Sequence, residues 1–188
     1  MTSKQKISVS VAVVLLIVGG IGLYLFQPWR LVTNTTINES LPSVSSNTST
    51  ESSLPVPSQS APRVSPTQKA SILTLATGTF ISHEYETTGR AAVLQLPDGS
   101  RILRLTNLST SDGPDLKVWI TDAPVIKGKA GWRVFDDGSY VNLGNLKANK
   151  GNQNYTIPSD VDLKKLTSVS IWCDRFNVSF GAVQLQKP

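Results

Sequence analysis

The sequence predicts an all-β domain, an antiparallel β-sandwich, held outside the cytoplasm by one transmembrane helix and a disordered stalk. Three observations predict it. An uncharged apolar run covers Ile7 to Phe26, a Ser/Thr/Pro-rich segment follows over 33–70, and from Ser71 onward hydrophobic residues alternate with the period of strands. Of the 188 residues, those from 71 to 188 are enough for one ordinary domain that buries its core without disulfides.

The apolar run comes first. As a helix rising about 1.5 Å per residue, it matches a hydrocarbon core of about 30 Å. Lys4 and Lys6 precede it, and Tyr24, Trp29 and Arg30 follow where amphipathic rings and snorkelling cations are accommodated. This bias places the N-terminus in the cytoplasm and the C-terminal domain beyond the cell membrane. A cleaved signal peptide has a shorter apolar region, about 7–15 residues, ending in a small-x-small site. Here the run ends in Leu23-Tyr24-Leu25-Phe26, so residues 1–32 read as an uncleaved signal-anchor with its span at about 7–26.

The next segment, 33–70, has Pro42, Pro55, Pro57, Pro62 and Pro66 among Ser, Thr and Asn, and no aromatic residue. It has too little apolar surface to offset its chain entropy, which predicts a disordered spacer. Asn34, Asn38 and Asn47 head N-x-S/T sequons.

Within 71–188, Leu116, Val118 and Ile120 share one strand face, as do Val169, Ile171 and Cys173, and Phe176, Val178 and Phe180 repeat the pattern. Between Ala91–Leu96 and Arg101–Thr106, Pro97-Asp98-Gly99-Ser100 predicts a hairpin turn, because proline presets φ and glycine accepts φ > 0. Ser159 to Leu166 reads as one or two helical turns capped by Ser159. Trp119 and Trp172 alternate away from the apolar sides of their strands, towards an exposed sheet face.

Charge argues against a nucleic-acid partner. The chain has 18 Lys+Arg and 13 Asp+Glu, a net +5, but from Ser71 the balance is 13 basic to 11 acidic, or +2. The remaining basic residues flank the apolar run or sit in the spacer, and the domain surface reads as mixed and solvated.

Chemistry is bounded by scarcity. His83 is the only histidine, Cys173 the only cysteine and Met1 the only methionine. A blue-copper site needs two histidines and a cysteine, and a structural zinc site needs four N/S ligands, so no metal site is expected. A Ser-His-Asp triad would need His83, which lies in the polar stretch Ser82 to Glu86 and reads as solvated. Asp112 and Asp115 flank Gly113-Pro114, and Asp136-Asp137 precede Gly138, where carboxylates cap turns. No catalytic constellation emerges. Cys173 has two readings: a buried small hydrophobe beside Val169 and Ile171, or a thiol that carries electrons, ligates a haem or reacts with an oxidant, its pKa lowered by Arg175.

Several blocks occur in an order that resembles a known family. They are Leu96 to Leu105, Asp112-Gly113-Pro114-Asp115 leading into Trp119, Tyr140 to Gly144, Gly151 to Pro158, and Val169-Ser170-Ile171-Trp172-Cys173-Asp174-Arg175-Phe176. From about Gly78 to Leu185 the chain resembles the DM-thirteen, or electron-transfer DM, domain of bacterial membrane-anchored proteins, a relative of DOMON-type sandwiches. The resemblance implies a β-sandwich and maps the family's characteristic cysteine, with its proposed redox role, onto Cys173. Two functions follow as expectations. One is a redox module serving a redox partner protein through Cys173, alone or with a bound cofactor. The other is a non-catalytic module that binds a wall or cell-surface polymer or a partner protein, with Trp119 and Trp172 as its contact face.

Overall fold

The computed structural model describes residues 13, 15–24, 27, 33–42 and 71–188. Ten strands form two five-stranded sheets in a sandwich-like arrangement. They are β1 (Thr36–Asn38), β2 (Leu73–Thr79), β3 (Ile81–Ser82), β4 (Thr88–Gln95), β5 (Arg101–Ser109), β6 (Leu116–Thr121), β7 (Tyr140–Asn145), β8 (Lys150–Ile157), β9 (Ser168–Cys173) and β10 (Val178–Gln184). The first sheet runs β1-β8-β5-β4-β2 and the second β3-β10-β9-β6-β7. Every pairing is antiparallel except that of β1 with β8.

The expected hairpin is present. Gln95 faces Arg101, Gly99 adopts φ 84°, and Asp98 Oδ1 accepts hydrogen bonds from the Ser100 amide at 2.9 Å and hydroxyl at 2.6 Å. The core fills the space between the sheets. Ala91, Val93, Leu103, Leu105 and Tyr155 come from the first sheet, and Val118, Ile120, Val169, Ile171, Val178 and Phe180 from the second. A bulge between Ser179 and Gly181 shifts the parity of β10. Val178 before the bulge, Phe180 within it and Val183 after it therefore all join the core.

Three expectations change. Phe176 is not on a strand; it lies exposed in the 174–177 turn because β9 ends at Cys173. Residues 159–166 form turns rather than a helix. Asp162, not Ser159, organises them, accepting the Lys164 amide on its side chain at 2.8 Å and the Leu166 amide on its carbonyl at 2.9 Å.

The third change concerns the spacer. Its first residues are not disordered, because β1 lies along β8 and is held by hydrogen bonds rather than by apolar burial. Asn154 N donates to Glu39 Oε2 at 2.7 Å, Arg104 Nη1 to the Glu39 carbonyl at 2.6 Å, and Thr35 N to Asn149 Oδ1 at 2.7 Å. Lys147 Nζ reaches Glu39 Oε1 at 2.7 Å, which holds the Glu39 carboxyl below its usual pKa range. Gly151, at φ 103°, lets the strap approach, since a Cβ there would collide with the Ile37 carbonyl. The rest of the expected spacer, 43–70, lies outside the described residues.

The expected span at about 7–26 is described only in part. The rest lies outside the described residues, and among those described no helix is long and apolar enough to cross a membrane. Residues 15–24 are helical, with Leu15, Leu16, Ile17, Val18, Ile21 and Leu23 exposed.

Candidate functional site

Cys173 ends β9, opposite Leu116 of β6 and Val178 of β10, and its side chain joins the inter-sheet core at 0% exposure. Alternation with Val169 and Ile171 put it there. The exposed turn 174–177 and the Asp115 loop lie at this end of the strand, with Phe176 N donating to the Cys173 carbonyl at 3.3 Å and Asp174 N to that of Asp115 at 3.0 Å. Burial pushes the thiol pKa up, partly offset by backbone N–H groups of Phe176, Arg175 and Asp115. The expected lowering by the Arg175 charge gives way to desolvation, so the thiol is protonated at neutral pH.

The opposite face of the second sheet is also closed. Trp119 and Trp172, expected on an exposed face, are 4% and 1% exposed. Residues 122–139 fold over them, so that Ala123 and Phe135 join both tryptophans and Ala182 in one buried cluster. Hydrogen bonds pin this cover: Ser168 Oγ donates to the Ala123 carbonyl at 2.6 Å, Ser179 N to that of Trp132 at 2.8 Å, and Ser139 N to Asp122 Oδ1 at 2.9 Å. The aromatic rings form a continuous stack. Tyr140 lies on Trp119 with centroids 4.0 Å apart and planes 9° apart, and Trp119 on Trp172 at 4.9 Å and 23°. Phe135 then meets Trp172 edge-on at 6.4 Å. At the outer end, Tyr140 is 44% exposed.

His83 belongs to this same covered layer and is not solvated, being 7% exposed. Its Nε2 lies 3.1 Å from the Ile126 carbonyl, which can only accept, so Nε2 carries the proton and Nδ1 accepts from Ser179 Oγ at 2.9 Å. Ser170 Oγ donates to Ser179 Oγ at 2.9 Å, completing a buried chain. The pair resembles the serine–histidine half of a triad, but a carbonyl stands where a carboxylate would orient the ring, and Ser179 is 0% exposed. Burial lowers the His83 pKa, so the ring is neutral. The layer is structural chemistry, not hydrolytic machinery.

The donors do not fit a haem. His83 commits both ring nitrogens to hydrogen bonds and sits on the covered outer face of the second sheet, while Cys173 points into the inter-sheet core. The two strong axial donors thus lie on opposite faces of one sheet. Among the described residues no group of three or more His, Cys, Asp or Glu is placed to hold a metal ion. Asp112 and Asp115 serve their turn, with Asp112 Oδ1 accepting the Gly113 amide at 2.8 Å and Asp115 pairing with Lys117 at 2.8 Å. At one end of the sandwich, an apolar groove of about 720 Å³ opens between Leu75, Ala76, Val93, Leu163 and Leu185.

A family model described as electron transfer DM13 matches residues 79–185, which run from the end of β2 past the end of β10. The chain belongs to the electron transfer DM13 family. Its DM13 domain carries both Cys173 and the aromatic stack, whereas β1 lies outside the matched segment. Neither a search of curated proteins nor one of solved structures found a match.

Sequence reasoning missed Tyr140, Phe135, Ser170 and Ser179 as members of one layer. A usable signal was present, since two tryptophans pointing away from the core on adjacent strands imply a cover.

Proposed function

We propose that this protein is an electron-transfer module tethered to the cell membrane, with its DM13 domain on the extracytoplasmic side and Cys173 as its redox group. The observation that carries the reading is the coincidence of the electron-transfer family match with a lone thiol sequestered at the end of β9. A sequestered thiol cannot pair with a second copy's thiol or be driven up the oxidation ladder by water-borne oxidants, so it favours reversible one-electron exchange. The thiol gives one electron to a one-electron partner protein and releases its proton to solvent when the 174–177 turn opens. Return of one electron and one proton restores it. Tethering is supported by the apolar run Ile7 to Phe26 and by the exposed apolar side chains of helix 15–24.

Voltammetry of the full chain in detergent, with a visible spectrum and thiol titration before and after unfolding, tests the redox role. A reversible wave that Cys173→Ala abolishes supports it; the same wave in that variant, or none in the wild type, overturns it. Protease digestion of intact cells that spares the C-terminal domain would refute the extracytoplasmic placement.

A second reading, a non-catalytic binding module, no longer has Trp119 and Trp172 as a platform. The groove beside Leu75 and Leu163 favours it instead. Retention of the full chain on a wall polymer, lost in Leu163→Asp, would support that reading.

A further inference from the structure

We infer that Tyr140, Trp119 and Trp172 form a redox relay that carries electrons between the strand bearing Cys173 and the protein surface. The inference rests on the electron-transfer reading above and supplies what that reading lacks, a route for a group with no exposed atom. Tryptophan and tyrosine are the side chains whose rings give up one electron most readily, and tunnelling weakens steeply with distance. Centroid separations of 4.0 and 4.9 Å, with planes 9° and 23° apart, put the three rings in van der Waals contact with their π-faces overlapping. Trp172 immediately precedes Cys173 on β9, so the inner end of the stack and the thiol are joined through one strand.

The middle and outer rings differ in their access to water, which decides where an oxidising equivalent comes to rest. Trp119 Nε1 is buried and has no hydrogen-bond partner among the described residues, so an oxidised Trp119 keeps its proton, and the charge moves on without waiting for proton transfer. Tyr140 is 44% exposed, so its phenol can lose a proton to water. A high-potential one-electron oxidant, of the metal-polypyridyl or oxyl-radical class, takes one electron from Trp172. Trp119 refills Trp172, and Tyr140 refills Trp119 and releases its phenolic proton. A one-electron donor then returns an electron, and water the proton, to Tyr140.

Flash-quench oxidation of the full chain in detergent tests this. Lys127 is exposed on the cover beside Ile126, whose carbonyl binds His83 at the Phe135 end of the stack. Lys127→Cys accepts a ruthenium polypyridyl label while Cys173 stays buried, and a cobalt(III) acceptor irreversibly takes the first electron. The expected result is a tyrosyl signal by transient absorption and electron paramagnetic resonance. Trp119→Phe should lose most of it, leaving a tryptophanyl signal. Tyr140→Phe, a surface change that keeps the ring, should lose the tyrosyl signal and prolong the tryptophanyl one. An unchanged tyrosyl yield in either variant, or no radical at all in the labelled parent, overturns the relay. A surviving Cys173-dependent wave then leaves the function standing and removes only the route.

Discussion

The two sheets of the sandwich are built from similar strands but meet water differently. On β5 of the first sheet, Leu103 and Leu105 are buried while Arg104 and Thr106 are half-buried, the ordinary alternation of a sheet with one wet face. All six residues of β9 in the second sheet are buried. Its inner side meets the core and its outer side the cover formed by 122–139, so Cys173 and Trp172, neighbours in sequence, sit in two separate hydrophobic clusters. One sheet is therefore a wall of the core, and the other a partition between two interiors.

Emptying the second interior should be the most damaging change of all. Trp172→Ala removes a fully buried indole from between Trp119 and Phe135 and is expected to cost about 3–5 kcal/mol in urea unfolding. A loss under 1 kcal/mol would mean that the cover does not pack. Cys173 probes the other side of the same strand. Cys173→Ser places a hydroxyl against Val169 and Ile171, at a cost of about 1–3 kcal/mol, and Cys173→Ala should be milder. Equal melting temperatures for the two variants would show an open site instead.

The β1 strap sharpens the contrast, because it adheres to the first sheet by polar contacts alone. A chain beginning at Ser71 should keep a cooperative transition and lose about 1–2 kcal/mol, since each net hydrogen bond is small and ordering the strap opposes it. An insoluble product would show that β1 completes the fold. Acidification should act first on the second sheet, and on the Glu39 contact of the strap only at lower pH, where that carboxylate protonates. His83 is held neutral by burial, so its pKa in the folded state lies below the usual value of about 6.5. The unfolded chain then binds the extra proton first, and stability falls as pH drops below about 6.5. His83→Gln should flatten that part of the stability profile; an unchanged slope would place the titration elsewhere. The smallest effect belongs to the wet face: Arg90→Ala, at an exposed position of β4, should stay within about 0.5 kcal/mol by thermal melting.

Much of this was legible in the sequence where pattern and neighbourhood coincide. The Pro97 to Ser100 turn and the inward set Val169, Ile171 and Cys173 depend on residues close in the chain. The outward direction of Trp119 and Trp172 was legible too, but their cover was not, because 122–139 has no periodicity and its contacts to Ser168, Ser179 and His83 are long-range. His83 looked solvated for the same reason. β1 was illegible on different grounds. Thr36-Ile37-Asn38 has no apolar alternation to read, and its partners are backbone groups and asparagines. The bulge at Ser179 to Gly181 hid the change of face in β10, since nothing in a period-two pattern announces an inserted residue.

The strap also has a mechanical meaning. β1 and β2 occupy opposite edges of the first sheet. A pull arriving from the N-terminal side loads β1 before it reaches any strand of the core. Three residues held by hydrogen bonds at an edge yield at lower force than the strands behind them. Their release lets the 37 residues from 36 to 72 extend to at most roughly 120–130 Å, while leaving the sandwich closed. In a single-molecule pulling trace this should appear as a low-force lengthening ahead of the main rupture, and a trace without that step would show that the strap carries no load.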